Sequence, residues 1–232
     1  MKLIIKEGLY TKNSPANSSD AIKLALNTSY IDGVFITIQK TKDNVIVVYP
    51  SEDVNNIPIN SMTYSELALF NIESGVKRIE ILTLNQVLKL YEGILKKLVI
   101  DVPDYGQNNQ VLINSIINII NNYPNVDIYL KLTPGQLDFI NRQLNAKIGI
   151  GISEHDSSLW NLDVDFYAVS IPNVSETDKS DILVKLKENK IIMLENIMNL
   201  AQYQYLQDNI SNYDSLIYVV TNQLSIIASS LK

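Results

Sequence analysis

Short, almost continuously apolar segments alternate with segments of helical periodicity along the chain, from residues 3–5 to residues 216–220. We count about eight strand–helix units of this kind. Strands that are apolar on both faces are typical of a parallel sheet covered by helices. Eight units over 232 residues predict a single domain, residues 1–232, folded as a (β/α)8 TIM barrel. The alternative is a doubly wound open sheet, but no glycine-rich phosphate loop follows the first strand.

Several of the predicted helices are marked by capping residues. Ser18 or Ser19 can cap a helix that begins near Ala21. Thr63 and Glu66 have the spacing of a capping box, in which each side chain bonds the other residue's backbone N–H. Further helices are predicted to begin at Thr133-Pro134, at Ser180 or Asp181, and over residues 198–206 and 225–231.

Composition excludes several classes of function. A net charge of −6 argues against binding to nucleic acid or to anionic membranes, since both require basic surfaces. The chain has no Cys, which excludes disulfides, thiolate zinc sites and a thiol nucleophile. With His155 as the only His, a Ser-His-Asp triad or a multi-His metal site is not expected. No signal peptide or apolar run of about 18 residues is present, so we expect a cytoplasmic protein without a transmembrane segment.

Residues 32–50 form the most distinctive stretch, which predicts a β-hairpin. Along residues 34–39 the apolar side chains at even positions point to one face, and Phe35, Thr37 and Gln39 point to the other. Asp43-Asn44 is a turn pair, because both side chains tolerate a left-handed backbone. The apolar run 45–48 then supplies the second strand.

This stretch resembles the signature of the glycerophosphodiester phosphodiesterase family, Asp-Gly-Val-Glu-x-Asp-Val-x-x-Thr-Lys-Asp-Gly, followed by an apolar run and His-Asp. The shared frame is Asp32-Gly33-Val34, Thr41-Lys42-Asp43 and Val45. The resemblance implies a barrel of the phospholipase C-like (PLC-like) phosphodiesterase type. It also implies metal-dependent hydrolysis of glycerophosphodiesters to glycerol 3-phosphate and an alcohol, with three carboxylates on a divalent cation and two His residues as acid and base.

The residues that carry this chemistry in the family are mostly replaced. Its metal-binding Glu and Asp fall on Phe35 and Thr37, and its two His residues fall on Lys6 and Pro50. Asp101 is the one carboxylate retained, and a lone Asp is a poor site for calcium or magnesium. We therefore predict a degenerate, catalytically inactive member that acts as a binding or regulatory module. The alternative is an active phosphodiesterase or other hydrolase with an active site rebuilt at the mouth of the barrel.

Candidate site residues follow from the barrel, because active sites of such barrels lie at the C-terminal ends of the strands. Lys6 and Glu7 either form an ion pair at the rim or take part in the site, with Lys6 on phosphate. Asp101 is either a metal ligand or a carboxylate that anchors a loop. The catalytic candidates are Lys6, Glu7, Asp101 and His155, and the ligand-binding candidates are Thr37, Gln39, Tyr49, Lys131 and Glu195.

Cofactors and partners follow from the same reasoning. No cofactor is expected, and Ca²⁺ or Mg²⁺ would be needed only with the family mechanism, in which case Asp101 is the candidate ligand. A small phosphorylated ligand is the expected occupant of the mouth. A protein partner or a second copy of the chain is compatible with a binding module.

Overall fold

Eight parallel strands close into a barrel in the computed structural model. The closure is direct, because the first strand pairs in parallel with both the second and the last. The predicted (β/α)8 fold is confirmed. The barrel strands are β1 Lys2–Lys6, β2 Gly33–Lys40, β3 Lys97–Asp101, β4 Asp127–Leu132, β5 Lys147–Ile152, β6 Phe166–Ser170, β7 Ile191–Glu195 and β8 Ile217–Thr221. The structure describes residues 1–11, 14–70, 72–74, 77–140, 144–152, 158–170, 176–196 and 211–222.

The described helices flank this sheet, and most of the capping predictions hold. Ser18 caps the first helix and accepts a hydrogen bond from the Ala21 N–H. Thr63 and Glu66 form the predicted capping box. The α-helices of the described residues are α1 Ser19–Asn27, α2 Tyr64–Leu67, α3 Leu84–Tyr91, α4 Asn109–Ile120 and α5 Glu176–Lys187. None of the described helices has the length and apolar character of a membrane span.

Two helix predictions need correction, and two fall outside the described residues. The helix expected to begin at Ser180 or Asp181 already begins at Glu176, because the polar residues before Ser180 form its first turn. The helix expected at Thr133-Pro134 is a 3₁₀ helix, Pro134–Phe139. The helices predicted over residues 198–206 and 225–231 lie outside the described part of the chain. Other 3₁₀ helices are Ile59–Ser61, Gly106–Asn108, Leu159–Asn161 and Ser211–Leu216.

Alternating side chains of the barrel strands build two separate cores. On β2, Val34 and Ile36 pack in the outer core between sheet and helices, whereas Phe35 belongs to the inner core within the barrel. This is the alternation that the sequence predicts. Gly149 on β5 makes room for the Phe166 ring of β6, since a Cβ there would lie 2.4 Å from the ring. The inner core fills the middle of the barrel and leaves polar side chains at its two ends.

The hairpin after β2 forms a small lobe beside the barrel mouth. The strand Ile46–Val48 pairs with β2 in the antiparallel sense, and Asn44 in the turn has a φ of 63°. A third apolar cluster under this lobe includes Val47 and Leu67. Short strand pairs complete the segment at Asp53–Val54 with Ile57–Pro58 and at Ile72–Ser74 with Lys77–Ile79.

Candidate functional site

Three charged side chains meet at the C-terminal mouth of the barrel, and we call them the mouth triad: Asp101, Lys131 and Glu195. The Lys131 Nζ lies 2.9 Å from Glu195 Oε2 and 3.4 Å from Asp101 Oδ1. Asp101 and Glu195 end β3 and β7, and Lys131 is the last but one residue of β4. Their exposed fractions are 31 % for Asp101, 17 % for Lys131 and 14 % for Glu195. Parallel strands bring these residues together although they are far apart in the sequence.

Burial and the two neighbouring carboxylates have opposite effects on the pKa of Lys131. Burial by itself lowers the pKa of the ammonium, because a charged group is poorly solvated inside the barrel. The carboxylates of Glu195 and Asp101 outweigh this effect, so the pKa of Lys131 is raised above its ordinary value. Lys131 is therefore a cation at neutral pH, held between two carboxylates.

Phe35 lies beside the triad on the barrel side. Its ring is almost fully buried, and the Nζ atoms of Lys131 and Lys6 lie 5.5 Å and 5.9 Å from the ring centroid. A cation near an aromatic face is attracted by the negative charge of that face. In the resembled family this position holds a metal-binding Glu, so an apolar ring flanked by two ammonium groups replaces a carboxylate.

Two adjoining cavities open at the mouth. The larger has a volume of about 530 Å³, and its lining includes the mouth triad, Asp104 and apolar residues such as Val102, Leu132 and Ile152. The smaller, of about 190 Å³, is lined by Lys6, Phe35, Glu195, Asn196, Val220, Thr221 and Asn222. Glu195 and Asn196 line both, so one ligand can reach from one cavity into the other.

Two polar atoms in the lining of the larger cavity are buried and have no hydrogen-bond partner among the described residues. They are Glu195 Oε1 and Thr133 Oγ1. Buried polar atoms are normally hydrogen-bonded. A ligand that donates a hydrogen bond to the Glu195 carboxylate would satisfy one of them.

Lys6 and Glu7 stand at the rim, in a tight turn after β1. Glu7 has a φ of 63°; its N–H donates to the Phe35 carbonyl at 2.7 Å, and its carbonyl accepts from the Asn17 N–H at 2.7 Å. The following Gly8 lies against α1, where a Cβ would be 2.8 Å from a backbone atom of Ala21. The expected ion pair between Lys6 and Glu7 is not formed, although both residues are described.

The remaining ligand-binding candidates are distributed around the mouth. Thr37 is half-buried and pairs with Asp101 in the register of β2 and β3. Gln39 is buried, and its Oε1 accepts a hydrogen bond of 2.7 Å from the Tyr105 hydroxyl. Tyr49 packs against the apolar cluster of the hairpin lobe. The cavities described above do not include Thr37, Gln39 or Tyr49 in their lining, so their role in ligand binding stays a prediction.

His155 lies outside the described residues, so its catalytic role stays a prediction.

Sequence reasoning missed Asp104, which follows Asp101 by three residues and lines the larger cavity. Its Oδ1 accepts hydrogen bonds from the Gly106 N–H at 2.8 Å and from Asn109 Nδ2 at 2.7 Å. These bonds lower the pKa of Asp104. The sequence feature that could have identified Asp104 is its position as the second carboxylate of the run Asp101-Val102-Pro103-Asp104, directly after a strand.

The described residues do not fit the divalent cation of the resembled family. They contain no group of three or more His, Cys, Asp or Glu side chains that can hold a metal ion. Calcium and magnesium favour about six oxygen ligands, several of them charged. Here Asp101 and Glu195 instead share the ammonium of Lys131.

No family model and no curated protein matches the amino-acid sequence. Solved structures of phosphodiesterases do match, several of them over nearly the whole chain. The chain therefore shares the barrel fold of glycerophosphodiester phosphodiesterases, as the resemblance implied.

Three of these structures illustrate the similarity. A phosphodiesterase from Oleispira antarctica, solved with its product sn-glycerol-3-phosphate, is 14 % identical, covers 100 % of this chain and 97 % of its own, and has a TM-score of 0.84. A glycerophosphodiester phosphodiesterase from Parabacteroides distasonis is 16 % identical, with 100 % and 98 % covered and a TM-score of 0.80. The enzyme from Thermotoga maritima is 17 % identical, with 99 % and 97 % covered and a TM-score of 0.71. At these identities the similarity establishes a shared fold, and function has to be argued from the site.

Proposed function

We propose that this chain is a barrel of the glycerophosphodiester phosphodiesterase type that binds a small phosphorylated ligand at its mouth without hydrolysing it by the family's metal-dependent reaction. The observation that carries the proposal is the mouth triad, in which the ammonium of Lys131 holds the two carboxylates that face the cavity. A binding or regulatory role in the cytoplasm, exerted on a protein partner or a second copy of the chain, completes the proposal.

The triad opposes metal-dependent hydrolysis on chemical grounds. A divalent cation in such a site neutralises phosphate charge and positions the attacking group. An ammonium supplies one positive charge and hydrogen-bond donors, but it has no open coordination position for water or a phosphate oxygen. Lys131 therefore occupies the position between Asp101 and Glu195 without activating a nucleophile.

The acid and base of the family mechanism are also replaced. Lys6 stands at the end of β1, where the family has its first His, and exposed Pro50 stands at the second. Proline has no proton to transfer. Lys6 in place of the His removes the imidazole, the side chain that most often transfers protons near neutral pH.

Ligand binding is supported by the two cavities. The ammonium of Lys6 lines the smaller cavity, and no carboxylate among the described residues forms an ion pair with it. Together with the amides of Asn196 and Asn222, it suits the phosphate group of a small ligand. The rest of the ligand would extend into the larger cavity, where the unpartnered Glu195 Oε1 can accept a hydrogen bond from a hydroxyl group.

A paired experiment on the full chain tests both parts of the proposal. Calorimetric titration with sn-glycerol 3-phosphate, the product bound by the Oleispira enzyme, is expected to show saturable binding. Lys6→Met should abolish this binding, whereas Lys23→Met, a matched loss of charge on the exposed surface of α1, should leave it unchanged. A lack of binding to the wild-type chain would contradict the phosphorylated ligand.

The second arm measures release of glycerol 3-phosphate from glycerophosphodiesters, with Ca²⁺ or Mg²⁺ present. We expect no release above a no-protein control. Turnover that needs the metal and disappears in Asp101→Asn would contradict the proposal. It would instead support the alternative of an active phosphodiesterase with a rebuilt site.

A further inference from the structure

The opposite, N-terminal end of the barrel interior carries a second cluster of charged and polar side chains. Alternate strands of such barrels supply the side chains of one interior layer, and these are usually apolar and branched. Here β1, β3 and β5 each begin with a lysine. We call the group the basal cluster, and its members are Lys2, Lys97, Asp127, Tyr129, Lys147 and Tyr218.

Two buried tyrosines form the inner side of the basal cluster. The hydroxyl oxygens of Tyr129 and Tyr218 lie 3.0 Å apart, and both residues are almost fully buried. Lys147 Nζ donates to the Tyr129 hydroxyl at 2.9 Å. The pair has two phenolic hydrogens, but only one of them can lie between the two oxygens. The other has no acceptor among the described residues, whichever tyrosine donates to its neighbour.

The ammonium groups of the cluster outnumber the carboxylates paired with them. Lys147 Nζ lies 2.9 Å from Asp127 Oδ1, and Lys97 Nζ lies 3.7 Å from Asp127 Oδ2. In the described part of the chain, no carboxylate forms an ion pair with Lys2. Lys2 Nζ and Lys97 Nζ lie 5.3 Å and 5.6 Å from the centroid of the Tyr218 ring, and neither donates a hydrogen bond to a described residue.

Lys97 lies in surroundings that disfavour its positive charge. Its side chain is only 15 % exposed. Burial lowers the pKa of Lys97, and the neighbouring ammonium groups of Lys2 and Lys147 lower it further. Asp127 and Asp32 oppose this shift without cancelling it.

Two more carboxylates lie near the cluster, but both already accept hydrogen bonds from the backbone. Asp32 Oδ2 accepts from the Leu3 N–H at 2.8 Å, and Asp165 Oδ2 accepts from the Ile148 N–H at 2.8 Å. The cluster therefore presents ammonium and phenolic donors in excess of its acceptors. Neither Lys2 nor Lys97 has a described acceptor within hydrogen-bond distance, so the missing partner is a small group with several acceptor oxygens.

We propose that the basal cluster is a binding site for a tetrahedral oxyanion, phosphate or sulfate, held by the Lys2 and Lys97 ammonium groups and the spare phenolic hydrogen of the Tyr129–Tyr218 pair. A water molecule can accept only two hydrogen bonds, whereas a tetrahedral oxyanion offers four acceptor oxygens, and its charge-assisted hydrogen bonds from ammonium groups are the strong ones. The site lies at the other end of the barrel from the mouth and is independent of the ligand proposed there.

Calorimetry and thermal unfolding of the full chain test this site. Inorganic phosphate and sulfate are titrated separately, against sodium chloride at matched ionic strength. We expect saturable binding of one oxyanion per chain and a melting temperature that rises with its concentration.

Lys97→Met should weaken binding about tenfold or more, and the nearly isosteric Tyr218→Phe should weaken it less. Lys23→Met is the matched control on the exposed surface of α1, and Lys6→Met tests whether the ion instead binds at the mouth.

The outcomes separate clearly. Binding that Lys97→Met and Tyr218→Phe weaken, and that Lys23→Met leaves intact, supports the basal site. Binding lost only in Lys6→Met would place the ion at the mouth and overturn the proposal. So would a lack of saturable binding, or a rise in melting temperature that chloride reproduces at the same ionic strength.

Discussion

The two ends of the barrel interior each enclose a lysine, and the surroundings of these two lysines are opposite. At the mouth, Lys131 has two carboxylates within 3.4 Å, and its pKa is raised. At the base, Lys97 shares one carboxylate at 3.7 Å with Lys147, and its pKa is lowered. The same residue type is thus stabilised as a cation at one end and destabilised at the other.

The difference indicates where a ligand would bind at each end. At the mouth, Lys131 occupies the position between two carboxylates that a divalent cation would have to take. At the base, the ammonium groups of Lys2 and Lys97 lack described hydrogen-bond acceptors, which is why we propose an added anion there. We therefore expect substitutions of the two lysines to change stability in opposite directions.

The largest effect is expected from Lys131→Met. Methionine keeps the apolar stem that packs near Phe35 but leaves the two carboxylates without their cation. Removing one partner of a buried ion pair is strongly destabilising, so the free energy of unfolding should fall by about 3 kcal/mol. Urea unfolding measures this change, with Lys23→Met as the surface control. A loss no greater than that of the control would contradict the central position of Lys131 in the mouth.

Glu195→Gln should have a smaller effect at the same end. The amide keeps an oxygen that can accept a hydrogen bond from Lys131, but the negative charge is lost. Asp101 remains as a partner, so we expect a decrease of about 1–2 kcal/mol in the free energy of unfolding, in the range of hydrogen bonds to charged groups. The same urea series measures it. A decrease equal to that of Lys131→Met would mean that Asp101 contributes nothing to the triad.

Lys97→Met should not lower the free energy of unfolding as Lys131→Met does. In a buffer without phosphate or sulfate the substitution removes a buried ammonium that donates no hydrogen bond to a described residue and whose ion pair with Asp127 is 3.7 Å long. Stability should therefore be unchanged or higher by up to about 1 kcal/mol. Urea unfolding in chloride buffer is the measurement. A decrease comparable to that of Lys131→Met would show that Lys97 is as well compensated as Lys131, and the contrast between the two ends would fail.

The smallest differences between wild type and the two lysine variants are expected in the pH dependence of the free energy of unfolding. The pKa of Lys131 is raised in the folded state. Its contribution to the free energy of unfolding is therefore complete below the unfolded-state pKa of about 10.4, and it is lost only as pH rises through the higher folded-state pKa. The pKa of Lys97 is lowered, so its penalty is relieved as pH rises through the folded value towards about 10.4. Between about pH 8 and 10, the stability gap between wild type and Lys97→Met should narrow, while the gap to Lys131→Met stays constant. Unfolding curves across this range check both trends, and parallel curves for all three proteins would contradict them.

The barrel could be predicted from the sequence because its signals are local. Apolar strands, helix caps and the alternation of residues 34–39 depend on neighbouring residues, and the eight parallel strands confirm them. The start of α5 was predicted four residues late, since the run before Ser180 has no apolar periodicity to mark a helix. In the same way, capping by Thr133 marks the start of a turn but does not decide between an α-helix and a 3₁₀ helix.

The candidate site was predictable as separate residues but not as a unit. Asp101, Lys131 and Glu195 were each expected at strand ends, yet only closure of the barrel joins β3, β4 and β7 around one ammonium. Gln39 could not be separated from the ligand-facing residues, because its partner Tyr105 lies in a distant loop. The basal cluster was not predicted, because sequence reasoning considered only the C-terminal ends of the strands.

The most direct measurement is a calorimetric titration of Ca²⁺ into wild type and Lys131→Glu side by side. No binding to wild type is expected, because the ammonium of Lys131 occupies the position between Asp101 and Glu195 that a cation would take. In Lys131→Glu the ammonium is replaced by a third carboxylate, so saturable binding and an increase in melting temperature with Ca²⁺ are expected. Saturable Ca²⁺ binding to wild type that disappears in Asp101→Asn would contradict the account and return this mouth to the metal-dependent sites of the family it resembles.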